Sequence, residues 1–138
     1  MKELAIFGST GSIGCSTLNV VRRERDRFAV SILTAGHNLQ RLTEQIREFT
    51  PRHVYILEKQ DAEALREQFP GLDIYWGKDG MEAISRLTDF DIGVSALVGV
   101  AGLRPTWNMI QNGKTVALAN KEVSVSYTHP TLPTICSV

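Results

Sequence analysis

KELAIFGSTGSIGCSTLNVV, residues 2–21, decides the fold. It opens with a short apolar run, Leu4-Ala5-Ile6-Phe7, and then sets glycines at positions 8, 11 and 14. Ile13, Thr17, Leu18 and Val21 follow at helical spacing. A buried strand, a Gly-rich turn and a helix opening, in that order, make a nucleotide phosphate site. Gly8 allows a turn at φ values that a side chain resists. Gly11 removes a Cβ where a pyrophosphate approaches the backbone, and Gly14 lets the helix pack close to the strand. The free N–H groups and positive dipole end of the helix then face the anion. Ser9, Thr10, Ser12 and Ile13 complete this turn, with the hydroxyls as added donors. The spacing is G-x-x-G-x-x-G rather than the stricter G-x-G-x-x-G. The competing reading is a turn that only reverses the chain. The agreement of strand, turn and helix favours the phosphate site.

A chain of 138 residues suits about one domain with a real core. Its hydrophobic fraction of 43% and charged fraction of 22% are those of an ordinary globular protein. Fifteen basic and fifteen acidic residues cancel, so neither a nucleic-acid partner nor an anionic membrane surface is expected. No apolar run reaches the length of a membrane span. The N-terminus passes directly into a strand, so no signal peptide is expected, and the cytoplasm is the default compartment. Cys15 and Cys136 make neither a disulfide framework nor a metal spacing.

The remaining chain alternates between strand and helix patterns. Strands are predicted at 28–33, 53–57, 72–76, 90–96 and 115–119, and helices at 39–49, 61–69, 79–87 and 103–112. Pro51 closes the second helix and Gly113 the last. This alternation implies an α/β fold: a single Rossmann-like domain with a doubly wound, mainly parallel sheet.

Ligands of such sheets bind beyond the carboxyl ends of the strands. The second strand runs out into Gly36-His37-Asn38, with Arg41 one turn further on. An NAD-binding chain usually carries Asp or Glu here for the ribose hydroxyls, and this chain has none. An amide, an imidazole and a guanidinium accept a 2′-phosphate where a carboxylate would repel it, so NADPH is preferred over NADH. Asn38 also reads as the cap of the next helix, which is compatible with phosphate binding. The sixth strand runs into Asn120-Lys121-Glu122, three polar residues directly after an apolar stretch. Position and chemistry suggest that Lys121 holds a substrate oxygen and Asn120 a ribose or carboxamide.

GSTGSIG at 8–14, TLNV at 17–20, AGHN at 35–38, GLRPT at 102–106 and GKTVALANKE at 113–122 together resemble the 1-deoxy-D-xylulose 5-phosphate reductoisomerase family. The resemblance extends to about residue 122. It implies an NADPH-dependent enzyme of non-mevalonate isoprenoid biosynthesis. Such an enzyme isomerises and reduces 1-deoxy-D-xylulose 5-phosphate to 2-C-methyl-D-erythritol 4-phosphate, uses a divalent metal (Mg or Mn) and forms a homodimer. By the same resemblance, Thr10, Gly11, Ser12 and Ile13 match the pyrophosphate turn. Gly36, His37 and Asn38 match the 2′-phosphate loop, Asn120 and Glu122 the nicotinamide end, and Lys121 a substrate contact.

The family's metal cluster and catalytic domain lie beyond the NKE motif, so neither catalytic nor metal-binding residues are expected in this chain. Residues 1–122 are therefore read as the NADPH-binding domain. Residues 123–138 carry two prolines, Pro130 and Pro133, and neither helix nor strand period. They read as an irregular, non-family tail of foreign sequence. The isolated chain is expected to bind NADPH weakly and to turn nothing over. Two alternatives are an NADP-dependent dehydrogenase of the aspartate-semialdehyde type and a non-catalytic nucleotide-binding module.

Overall fold

The computed structural model describes residues 1–97 and 102–118, together with the backbone of a strand at Ile135–Ser137. In chain order the elements are β1 (Lys2–Phe7), α1 (Ser12–Arg23), β2 (Phe28–Thr34), α2 (Leu39–Phe49), β3 (His53–Ile56) and α3 (Lys59–Gln68). They continue with β4 (Asp73–Trp76), α4 (Gly77–Ser85), β5 (Ile92–Ser95), α5 (Leu103–Gln111), β6 (Thr115–Leu118) and β7 (Ile135–Ser137). All strand pairs are parallel, in the order β4-β3-β2-β1-β5-β6-β7.

β1 is continuously apolar because it sits mid-sheet and is covered on both faces. Leu4 and Ile6 face one core with Leu18 and Val21 of α1, Leu42 and Ile46 of α2, and Leu65 of α3. Ala5 and Phe7 face the other, with Ile84 of α4 and Met109 of α5. This is the division that right-handed crossovers require when the chain steps one way from β1 to β4 and the other way from β5 to β6. A buried Leu or Ile at these positions contributes about 1.5–3 kcal/mol.

β2 carries one irregularity. Leu4 pairs with Val30 but Ala5 pairs with Ile32, so Ser31 is an extra residue bulged from the ladder. Its buried hydroxyl donates to the Leu4 carbonyl at 3.3 Å. The bulge puts Val30 and Leu33, three residues apart, into the same core.

Element ends differ from the sequence expectation by a residue or two. The largest difference concerns residues 123–138, read as irregular. The structure adds β7 there, parallel to β6. Three residues are too few to display a strand period, and the pairing comes from the open edge of β6. None of the described helices is long and apolar enough to cross a membrane.

Candidate functional site

The sheet order reverses direction between β1 and β5, which defines the crevice where ligands of doubly wound sheets bind. The Gly-rich turn lies at that point. Gly8 takes φ +92°, and a Cβ there would fall 2.9 Å from the Ala96 carbonyl oxygen, just past β5. A Cβ at Gly14 would lie 2.6 Å from Ser9 Cα and closer still to the Gly8 carbonyl oxygen. These two glycines build the turn. Gly11 differs: its nearest neighbour would be the Gly8 oxygen at 3.7 Å, so this side of the turn is open. Gly11 is also the N-cap of α1, and among the described residues no side chain caps that helix end. Ser12 and Ile13 are exposed beside it.

Ser9 is a correction to the sequence reading. Its side chain does not face the opening but is fully buried. The hydroxyl donates to Gln45 Oε1 at 2.8 Å and approaches the Thr34 carbonyl at 3.2 Å. Gln45 Nε2 donates back to the Ser9 carbonyl at 2.9 Å. Thr34 Oγ1 accepts from the Gly8 amide at 2.9 Å, and its carbonyl accepts from the Ser9 amide at 2.8 Å. The turn is thus held from behind by β2 and α2. Gln45 and Thr34 were not singled out from sequence. The available signal was that Gln45 is a polar residue on the apolar stripe of α2, beside Leu42, Ile46 and Phe49.

Gly36, His37 and Asn38 sit at the adjoining end of β2. A Cβ on Gly36 would meet nothing within 4 Å, so packing does not demand glycine there. The His37 side chain is exposed and makes no hydrogen bond to a described residue. Asn38 caps α2, its side chain accepting from the Arg41 amide at 3.1 Å. Arg41 Nη1 reaches back to the Thr10 carbonyl at 3.2 Å, tying the two loops together.

From Gly36 a cleft of about 670 Å³ opens over the carboxyl ends of β2 and β3. Ala35, Tyr55, Met81, Leu97 and Pro105 give it apolar walls. Burial pushes the Tyr55 hydroxyl above its usual range, with a further push from Glu58. Arg104 and Glu82 pair at the rim, Nε to Oε1 at 2.9 Å. That hydrogen bond, with a second from Arg86, holds the Glu82 carboxyl down at about 2. Asn120, Lys121 and Glu122 lie outside the described residues.

Among the described residues no three His, Cys, Asp or Glu side chains come together as a metal site.

A sequence model of 1-deoxy-D-xylulose 5-phosphate reductoisomerase matches residues 4–127. It runs past Glu122, where the resemblance read from the motifs stops. The reductoisomerase of Prosthecochloris aestuarii is 49% identical over 127 residues, covering 91% of this chain and 33% of its own. That of Nitrosospira multiformis is 46% identical over 129 residues, with the same two coverages of 91% and 33%. Among solved structures, a DOX-P reductoisomerase in complex with NADPH, fosmidomycin and magnesium matches with a TM-score of 0.84 at 32% identity, covering 91% of this chain and 31% of its own. The Zymomonas mobilis reductoisomerase in complex with NADPH matches with a TM-score of 0.85 at 30% identity, covering 99% of this chain and 38% of its own. The chain spans about a third of the length of the curated relatives it matches. A dehydrogenase of the aspartate-semialdehyde type is thereby set aside. By the match across residues 4–127 and the parallel sheet that carries it, the chain belongs to the 1-deoxy-D-xylulose 5-phosphate reductoisomerase family.

Proposed function

We propose that this chain is the NADPH-binding part of a reductoisomerase that converts 1-deoxy-D-xylulose 5-phosphate to 2-C-methyl-D-erythritol 4-phosphate. The observation that carries the reading is the uncapped N-terminus of α1 beside the open face of Gly11, at the point where the sheet order reverses. A pyrophosphate there receives the first-turn amides of Ser12, Ile13 and Gly14, and the helix dipole favours its charge. The empty surroundings of Gly36 leave room for the 2′-phosphate beside His37 and Asn38. The apolar cleft beyond Gly36 suits an adenine ring.

When bound, NADPH would supply the hydride that reduces the aldehyde formed once the substrate's carbon skeleton has rearranged. The residues of this chain bind and orient the cofactor. Lys121 is assigned to the substrate and Asn120 to the nicotinamide end by their place after the sixth predicted strand, their chemistry and the family motif, and Glu122 to the nicotinamide end by the motif alone. The family's divalent metal and catalytic groups are read as lying downstream of the NKE motif, so the 138 residues by themselves are expected to bind the cofactor without turnover. The whole enzyme is read as a cytoplasmic homodimer acting on a small phosphorylated sugar. Residues 123–138 are read as a tail foreign to the domain at 1–122, with its junction between residue 122, where the motifs stop, and residue 127, where the family match stops, and the genomic sequence beyond codon 122 tests that boundary.

Parallel fluorescence titrations of the 138-residue chain with NADPH and NADH test the reading. Saturable binding with NADPH preferred is expected. Binding of neither, or a preference for NADH, overturns it.

A further inference from the structure

The exposed guanidinium of Arg41 occupies the ground between the two loops. Its backbone amide is fixed by the Asn38 cap at 3.1 Å, and its Nη1 rests on the Thr10 carbonyl at 3.2 Å. The same Nη1 lies 3.7 Å from Cys15 Sγ. Nε and Nη2 donate to no described residue. The charge is also uncommitted among the described residues. Glu48, in the same groove between α1 and α2, is taken by Arg22 and Arg25. Glu44 lines that groove too but makes no ion pair with Arg41 among the described residues.

A long cationic side chain usually loses its conformational freedom only against a partner that repays it. Here one arm of the fork is already anchored on Thr10, and the backbone amide is held by Asn38, two residues past Gly36, where a Cβ would meet nothing within 4 Å. This is a preorganised half-site for a dianion. Arginine suits a phosphate because its planar donors bind bidentately.

We propose that Arg41 is the specificity-determining residue for the 2′-phosphate of the cofactor: Nη1 stays on Thr10 while Nε and Nη2 take the phosphate beside Gly36. The inference rests on the NADPH-binding reading and deepens it. His37 and Asn38 then have lesser parts, the amide being occupied in capping α2. The anchor on Thr10 has a second consequence. Arg41 joins the pyrophosphate turn to the 2′-phosphate loop, so both phosphates are held from a single rigid connection.

The test is calorimetric titration of the parent chain and of R41Q with NADPH and with NADH. Expected is a loss of about tenfold to a hundredfold in NADPH affinity, the size of a lost charge-assisted hydrogen bond, with a smaller loss for NADH, so that the preference for NADPH falls. Undiminished NADPH preference in R41Q overturns the proposal while leaving the NADPH-binding reading intact. Equal loss of both cofactors also overturns it, because Arg41 would then act only by holding Thr10. Failure of the parent to bind either cofactor removes the reading and the proposal together. Circular dichroism checks that R41Q melts with the parent. Should it not, R41K carries the same comparison: it keeps the charge without the fork, so a reduced NADPH preference supports the proposal and an unchanged one overturns it.

Discussion

Gln45 and Ser9 close a two-bond ring: Gln45 Nε2 donates to the Ser9 carbonyl at 2.9 Å, and the Ser9 hydroxyl donates to Gln45 Oε1 at 2.8 Å. Ser9 is fully buried and Gln45 is 7% exposed, so water does not replace either bond. α2 thereby grips the Gly-rich turn from behind. Gln45→Leu leaves the Ser9 carbonyl without that donor and is expected to cost about 1–3 kcal/mol. Urea denaturation measures it. In a double-mutant cycle with Ser9→Ala, the two losses should sum to more than the double variant loses, because removing both partners orphans fewer atoms. Additive losses would show that the ring contributes no coupling.

Gly14 and Gly11 should separate folding from binding. Gly14→Ala puts a methyl 2.6 Å from Ser9 Cα, against backbone that has no rotamer to yield. A loss of about 1–3 kcal/mol is expected, read from the denaturation midpoint. Gly11→Ala meets nothing nearer than 3.7 Å. It should cost only about 0.5–1 kcal/mol, through the poorer N-cap, yet weaken NADPH binding by obstructing the open face. If Gly11→Ala binds NADPH as the parent does, no pyrophosphate approaches there.

The parts of this structure that could be read from sequence are those written in local periodicity. The strand at Leu4–Phe7, the glycine triplet and the alternation of strand and helix led to a parallel doubly wound sheet, which is what forms. Asn38 was legible as a cap because capping involves residues only three apart. Ser9 was misread because a serine in a Gly-rich turn looks like a phosphate donor. Its partner Gln45 is 36 positions away, and no local pattern reports that contact. The Ser31 bulge escaped for a similar reason, since a ladder slip depends on the neighbouring strand. The cleft walls come from five separate segments, near Ala35, Tyr55, Met81, Leu97 and Pro105, that only the fold assembles.

At the amino ends of the strands, His53 at the start of β3 bridges Asp73, at the start of β4, and Asp89, in the loop before β5. Nδ1 lies 2.6 Å from Asp73 and Nε2 lies 2.6 Å from Asp89. Burial pushes the Asp89 carboxyl up, but the His53 hydrogen bond and charge, with Arg52, pull it below its ordinary range. Both carboxylates are about half exposed, at 51% and 42%, which limits the gain. His53→Gln should lose about 1 kcal/mol, the upper end for exposed pairs. That difference should shrink at high salt, where surface pairs are screened. A loss insensitive to salt would assign His53 to packing instead.

Glu82 provides the acid-side prediction. The Arg104 hydrogen bond, aided by Arg86, lowers its carboxyl from 4.5 to about 2. A group depressed in the folded state stabilises fully above its unfolded value, and that contribution is lost as pH falls through the folded one. The window for Glu82 therefore runs from 4.5 down to about 2. Glu48, lowered by its hydrogen bond from Arg22, acts in the same direction. The urea midpoint should fall as the chain is acidified through this window. Glu82→Gln should be less stable than the parent at neutral pH and should lose less on acidification, keeping only the slope due to Glu48 and Asp89. Arg104→Gln should behave alike, since it removes the donor that lowers the carboxyl most. Parallel acid profiles for parent and Glu82→Gln would mean that the α4–α5 ion pair at the cleft rim adds nothing to folding.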